Sequence, residues 1–319
     1  MIHRDNRLDT IKGLLIILVV LGHLIGHNNE DTINERLSIF IYTFHMPLFV
    51  LISGYVSRIK NDRIAFRKDI FRLAIPLCIF QAISALLLYI GGGKIGLSML
   101  VVPYWTLWYL LSLLFWRLIL EFSPAKLLNN PALYISIAIT FSILCGLFIP
   151  YGRIMSIQRT FNFFPFFLLG YYIKQEVITA RPWNKIISAC FICLYILLIV
   201  LGLYPEKSDI LLRGADSYSL SDTLAKAYLL ICSFLISFSV FIIMIENKLL
   251  SKIGKESLFY YLYHGVIIMF VIQPLASSYG LPQTFPVIIL YCIIVMTFIF
   301  CLSKIRIFKW IANPQINIL

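Results

Sequence analysis

The sequence predicts an all-α polytopic membrane protein, a bundle of about ten transmembrane helices with both termini in the cytoplasm. Three observations carry that expectation. Of the 319 residues, 60% are hydrophobic and only 13% are charged, roughly half the charged share of a soluble domain. Apolar runs of membrane-crossing length recur along the chain, roughly at 11–26, 38–57, 70–90, 100–120, 131–149, 160–175, 184–203, 222–246, 257–277 and 284–303. Lysines and arginines divide unevenly between the connections: with the N-terminus inside, twenty of the 27 fall on the inner side, the bias that orients polytopic proteins. We therefore expect one membrane-embedded domain over residues 1–319, multi-pass in the cell inner (plasma) membrane.

The first run resembles a signal peptide in length only. It lacks a small-x-small cleavage site and carries Lys12 and His23, and further spans follow, so it is expected to be retained. Ionisable residues inside a membrane helix are costly and mark candidate sites. Lys12 and His23 are eleven residues apart, which places them within about 20° on one helix face and roughly 16–17 Å apart along it. A snorkelling lysine and a hydrogen-bonded core histidine would give the same pattern. Gly22 and Gly26 would admit a neighbouring helix or a substrate beside the imidazole.

The connection from His27 to Leu37 is polar and acidic, which suits an outer loop near a substrate mouth. The second span holds Phe44-His45-Met46-Pro47, and proline inside a membrane helix frees a carbonyl and often marks a kink or cavity wall. Counting rise from the inner ends puts His45 at about 19 Å and His23 at about 18 Å, so both imidazoles are expected at one depth. Buried hydrogen bonding is an equal reading for His45. Arg58 to Arg72 crowds six basic residues into one short inner stretch, including Arg67, Lys68 and Arg72, where a polyanionic cofactor would bind. Gly91-Gly92-Gly93 breaks the chain before the fourth span. Trp105, Trp108 and Trp116 read mainly as an interfacial aromatic belt, with Trp108 and Tyr109 as exceptions inside the span.

Beyond the fifth span, Arg153, Gln158, Arg159 and Asn162 reach the outer face, and Arg159 and Asn162 enter the sixth span as candidate acceptor contacts. The stretch Tyr204–Ser221 is an outer loop with acids at 206, 209 and 216 around Arg213, either a lid or plain surface. His264 lies about 11 Å into the ninth span, shallower than His23, and reads as a structural or donor-side residue ahead of a second base. The net charge of +12 belongs to the inner face and to anionic lipid. No nucleic-acid module is visible, nor a metal-ligand cluster, P-loop or internal repeat. Seven cysteines in or near spans are not a disulfide framework, and Cys190-x-x-Cys193 lacks the context of a redox motif.

Taken together, Lys12-x10-His23, the run FHMPLFVLISGY, the basic residues ahead of Arg72-Leu-Ala-Ile-Pro76, Leu107-Trp108-Tyr109-Leu110, Phe166-Phe167-Leu168-Leu169-Gly170-Tyr171 and Ser257-Leu-Phe-Tyr-Tyr-Leu-Tyr-His264 resemble the integral-membrane acyltransferase 3 family, in its fucose 4-O-acetylase-like branch. The resemblance covers nearly the whole chain in order. It implies transfer of an acyl group from cytoplasmic acyl-CoA, usually acetyl-CoA as co-substrate, to a hydroxyl of a cell-envelope glycan or lipid-linked sugar. It further implies His23 as general base, with Lys12 helping to hold the donor. One departure is visible: many members carry Arg-x-x-Arg before the third span, whereas here Lys68-x3-Arg72 stands beside Arg67.

Elementary chemistry agrees. A sugar hydroxyl is a poor nucleophile near neutral pH and needs a base, and imidazole titrates closest to that range. Lys12, Arg67, Lys68 and Arg72 offer cations to a diphosphate, and no metal is required. The alternative from another class is a transporter or flippase for a glycan or lipid-linked precursor, which would share ten helices, buried histidines and proline-broken spans. It has no need of a basic inner loop coupled to Lys12-x10-His23.

Overall fold

The computed structural model describes residues 5–26, 32–58, 63–148, 152–173, 182–214 and 216–314, and those residues contain helices and no strand. In chain order the α-helices are α1 (Asn6–Ile25), α2 (Thr32–Arg58), α3 (Arg63–Ile90), α4 (Ser98–Val101), α5 (Trp108–Phe122), α6 (Ala125–Leu128), α7 (Pro131–Phe148), α8 (Ile157–Tyr172), α9 (Pro182–Val200), α10 (Ser208–Arg213), α11 (Thr223–Ile243), α12 (Lys248–Lys255), α13 (Ser257–Ile267), α14 (Gln273–Ser278), α15 (Phe285–Leu302) and α16 (Arg306–Ala312). Asp5 caps α1 by accepting from the Arg7 and Leu8 amides at 2.8 and 3.3 Å, and Gly26 ends it at φ +63°. That dihedral explains Gly26, whose absent Cβ would meet only its own chain. It is a helix terminator, and not the close-approach site expected from the sequence.

Eight helical segments among the described residues are long and apolar enough to cross a membrane: Asn6–Ile25, Thr32–Ser57, Ile70–Ile90, Ser98–Phe122, Pro131–Phe148, Leu220–Ile243, Ser257–Ser278 and Phe285–Leu302. Of the two remaining apolar runs, α8 has 16 residues and the apolar part of α9 runs over Asn184–Val200. The chain is thus an all-α, multi-pass membrane protein. Large apolar side chains stand exposed on α3, α7, α9 and α15 (Leu86, Phe141, Leu197 and Phe298 among them), as helices facing hydrocarbon require.

The described chain divides into two compact units. The first comprises residues 1–35, 63–111 and 246–319. Its closest helix pair is α1 with α12, packed backbone to backbone. A Cβ on Gly13 would lie 2.0 Å from the Leu250 carbonyl oxygen, and one on Gly254 would lie 1.8 Å from that of Asp9. Polar groups tie the same contact: the Thr10 hydroxyl donates to the Asn247 carbonyl at 3.3 Å and accepts from the Asn247 amide at 3.1 Å. Asn247 also caps α12 through its side chain.

The second unit comprises residues 36–62 and 112–245 and repeats the device with α2 and α8. A Cβ on Gly54 would fall 2.0 Å from the Phe167 carbonyl oxygen, and one on Gly170 would fall 1.8 Å from that of Leu51. Trp116 is fully buried here and its indole donates to the Thr160 carbonyl at 2.7 Å. It is a core residue rather than part of an aromatic belt.

Lipid supplies no hydrophobic force between helices, so contacts this close depend on the missing side chains. Gly13→Ala and Gly54→Ala should each cost about 1–3 kcal/mol, read as a fall in melting temperature in detergent. Gly96→Ala, whose new methyl would meet the Ser98 hydroxyl at 3.4 Å, should be close to neutral.

The orientation expected from the charge bias is testable at two exposed positions, Lys252 and Glu206. In intact cells Lys252→Cys should be shielded from an impermeant thiol reagent, while Glu206→Cys should react. Labelling in the opposite sense would invert the topology.

Candidate active site

Two imidazoles meet in the first unit. His23, in the last turn of α1, has its ring centroid 5.4 Å from that of His264 at an interplanar angle of 28°, and 4.7 Å from that of Trp105. The sequence count had placed His264 shallower. The count was made within each span separately, and the two rings belong to different helices, α1 and α13.

His264 is fully buried, and its Nδ1 lies 3.2 Å from the Tyr260 carbonyl, one turn back. A carbonyl only accepts, so Nδ1 carries the hydrogen and Nε2 keeps a lone pair. That Nε2 is buried and has no hydrogen-bond partner among the described residues. Buried polar atoms nearly always find partners. An unsatisfied acceptor stacked against a second imidazole is suited to a donor group such as a hydroxyl.

The turn that carries Trp105 is held from three sides. Gln81 on α3 donates to the Met99 and Val102 carbonyls at 2.7 and 3.1 Å and accepts from the Tyr104 amide at 2.8 Å. Trp105 itself adopts φ +40°, a conformation that side chains with a Cβ rarely take. Such strain persists where the surroundings over-determine it, commonly at functional sites. The Tyr261 hydroxyl donates to the Thr106 carbonyl, and Gly265 lets Thr106 approach: a Cβ there would lie 2.4 Å from its hydroxyl oxygen. Beyond His264 the helix loosens into a π-helical turn over Ile268–Ile272, a feature frequent beside functional sites.

Trp105, assigned to the aromatic belt from sequence, is therefore the tryptophan that packs on His23. Trp108 is buried and meets Tyr109 edge to face at 6.1 Å, while Tyr109 meets Tyr261 at 5.4 Å.

At the start of α1, Lys12 pairs with Asp9 at 2.6 Å, and the Asp9 side chain is only 2% exposed. Asp9 went unremarked in the sequence. It places a compensating anion beside the lysine expected to meet the donor. Arg67 and Lys68 fall within α3, but their side chains lie outside the described residues; Arg72 is exposed on the same helix.

His45, Arg159 and Asn162 belong to the second unit. His45 is buried, with Nδ1 2.7 Å from the Ile41 carbonyl and its ring edge-on to Tyr42 at 4.9 Å. Arg159 donates from Nε to the Arg213 carbonyl at 3.3 Å. Asn162 is buried and accepts from Ser142 through its carbonyl at 2.9 Å and its side-chain oxygen at 3.3 Å. The Lys226 ammonium, also buried, donates to the Leu211 carbonyl at 2.7 Å. Tyr42, Pro47, Asn162, Lys226 and Ser233 help line a cavity of about 10 Å³, room for a single water. Two of the acids of the 204–221 stretch are paired, Asp209 with Arg213 and Asp216 with Arg153. No group of three or more metal-ligating side chains occurs among the described residues.

A family profile described as an acyltransferase domain (acyltransferase family 3) matches residues 5–305. The nodulation protein NolL of Sinorhizobium fredii (strain NBRC 101917 / NGR234) is 34% identical over 198 residues, covering 55% of this chain and 50% of NolL. The NolL protein of Mesorhizobium japonicum (strain LMG 29417 / CECT 9101 / MAFF 303099) is 28% identical over 219 residues, covering 60% of this chain and 56% of the relative. The chain thus aligns with about half the length of the curated relatives it matches. No solved structure matches it.

The Asp9–Lys12 pair yields a stability test. Removing one partner of a buried ion pair is destabilising, by about 3–5 kcal/mol when burial is complete. Lys12 is 21% exposed, so Lys12→Met should cost less, about 1–3 kcal/mol. Asp9→Asn combined with Lys12→Met should recover most of the lost melting temperature.

Proposed function

The chain belongs to the acyltransferase 3 family, and on that premise we propose that it is a membrane O-acyltransferase. The proposed reaction moves an acyl group, acetyl in the simplest case, from cytoplasmic acyl-CoA to a hydroxyl of an envelope glycan or lipid-linked sugar at the inner (plasma) membrane. The observation that carries the proposal is the stacked His23–His264 pair, with an unsatisfied lone pair on His264 and Trp105 packed on His23.

In this reading His23 removes the proton as the acceptor oxygen attacks the thioester carbonyl. The carbon–sulfur bond then breaks, and the imidazolium returns the proton to the departing thiolate. Neither a metal nor an acyl-enzyme is needed. His264 Nε2 accepts a hydrogen bond from a second hydroxyl of the acceptor and so holds the attacking hydroxyl, whose own proton goes to His23, a positioning contribution. The Lys12–His23 rise of roughly 16–17 Å suits an extended pantetheine arm, with the nucleotide left at the membrane surface. His45, Arg159 and Asn162 remain candidates for the acceptor side.

A second assignment has its own support. Because the Nε2 lone pair of His264 is unsatisfied, the geometry also suits His264 as the base and His23 as its partner. Glutamine substitutions separate the two, because an amide hydrogen-bonds but does not take a proton. His23→Gln should lower transfer of labelled acetyl from acetyl-CoA to envelope glycan by about 10²–10⁴-fold at matched protein level. His264→Gln should retain more activity and raise KM for the acceptor. The reverse ranking would exchange the roles. Near-normal turnover by both variants would remove the pair from catalysis and favour a transport function.

A further inference from the structure

α11 carries a lysine at a depth where lysines are seldom found. Lys226 lies inside the span Leu220–Ile243 and is only 4% exposed. Buried lysines are nearly always paired, and an ionisable group at membrane depth marks a candidate site. Lys226 lacks such a pairing: among the described residues its ammonium donates to the Leu211 carbonyl at 2.7 Å and meets no carboxylate. The acids nearby in sequence are taken, Asp209 by Arg213 at 2.8 Å and Asp222 by Lys207 at 3.2 Å. The Cys145 thiol lies within electrostatic reach, but it donates to the Ser142 carbonyl at 3.4 Å and so carries its hydrogen and no charge.

Other donors share the same want of an acceptor. Lys226, Asn162 and Ser233 line one cavity of about 10 Å³, whose wall is otherwise mainly apolar. An ammonium carries three hydrogens and a side-chain amide two. Lys226 uses one of its three, while the Asn162 NH2 and the Ser233 hydroxyl donate to no described group, Nζ of Lys226 included. Asn162 spends its two oxygens as acceptors from Ser142. Gly214 makes room for the nitrogen, since a Cβ there would lie 2.0 Å from Nδ2. Spare donors from three side chains, one of them charged, therefore surround a space whose apolar wall screens charge poorly. That is the complement of an anion. A volume near that of one water suits a single-atom anion and is too small for a carboxylate, phosphate or sulfate.

We propose that this cavity is a halide site, filled by chloride that Lys226, Asn162 and Ser233 hold through their spare hydrogens. The ion supplies the counter-charge that no described side chain provides, and an uncompensated buried charge is costly. Tyr42 on α2, Asn162 on α8, Leu212 on α10 and Lys226 on α11 belong to one wall, so chloride ties four helices of the second unit together. The site stands apart from the acyl-transfer reading and does not depend on it. It gives Asn162 an ion to hold in place of a sugar.

The test is thermal melting of the purified full chain in a neutral detergent, with sodium gluconate exchanged for sodium chloride at constant ionic strength. At about 200 mM salt, chloride should raise the melting temperature saturably by about 2–4 °C. Bromide should replace chloride, and sulfate should not. Lys226→Met should abolish the response, whichever way its own melting temperature moves, and with it the broadening of the chloride NMR line by the protein. Ser233→Ala, a milder change, should raise the chloride concentration for half the effect by about threefold or more, and it serves alone if Lys226→Met does not fold. Lys207→Gln, at an exposed position, should leave the response intact. Equal melting in chloride and gluconate would mean that the cavity takes only water and would overturn the site. A response that survives in Lys226→Met, a half-effect unmoved by Ser233→Ala, or sulfate acting like chloride would place the ion elsewhere and overturn it as well.

Discussion

The contact on which the described site depends is the backbone-to-backbone crossing of α1 and α12. Gly13 and Gly254 each occupy a position where a single methyl group would fall within 2.0 Å of a carbonyl oxygen on the opposite helix. Nothing in the surrounding bilayer drives two apolar helices together, so the crossing persists through dispersion contacts and the hydrogen bonds of Thr10 and Asn247. The candidate pair lies on the same two connected paths, His23 on α1 and His264 on the helix that follows α12, and Asp9 is buried beside Lys12 near the crossing.

The two units use the same solution with different helices. In the second, Gly54 and Gly170 bring α2 against α8, and hydroxyl, amide and indole groups are then satisfied across the packed interior: Ser112 with Thr160, Trp116 with Thr160, Ser142 with Asn162, Thr43 with Tyr195. Asn162, a candidate acceptor contact, also pairs with Ser142 on a neighbouring helix. The pattern follows from the cost of an unpaired polar group in hydrocarbon.

Much of the fold was legible in the sequence because hydrophobic length alone marks a membrane helix: each apolar run identified there is mostly helical where it is described, although the run at 100–120 is broken at 102–104. The Lys12–His23 register was also legible, since it lies within one uninterrupted helix whose geometry is known in advance. What was not legible involved distance between helices. His264 was placed shallower than His23 because depth was counted within each span separately, and a contact between two rings on different helices is not counted along either one. Trp105 was misread as an interfacial belt residue because its role depends on a strained turn clamped by Gln81, a residue with no motif around it. Asp9 escaped notice because an acid near a helix start is ordinary, and its burial becomes visible only once α12 covers it.

The clamp on that turn has a consequence for how this protein can vary. Gln81 grips the chain at Met99, Val102 and Tyr104, and so counts out the residues that lead to Trp105. Lengthening or shortening the segment from Met99 to Trp105 by even one residue would rotate the indole away from His23. The stretch just before it, Gly91–Leu97, is largely exposed and contributes to none of these bonds. Insertions and deletions should therefore accumulate among the glycines at 91–96 and stop abruptly at 99. A boundary of that kind, between a freely variable connection and one of fixed length, would be the evolutionary trace of a single glutamine side chain.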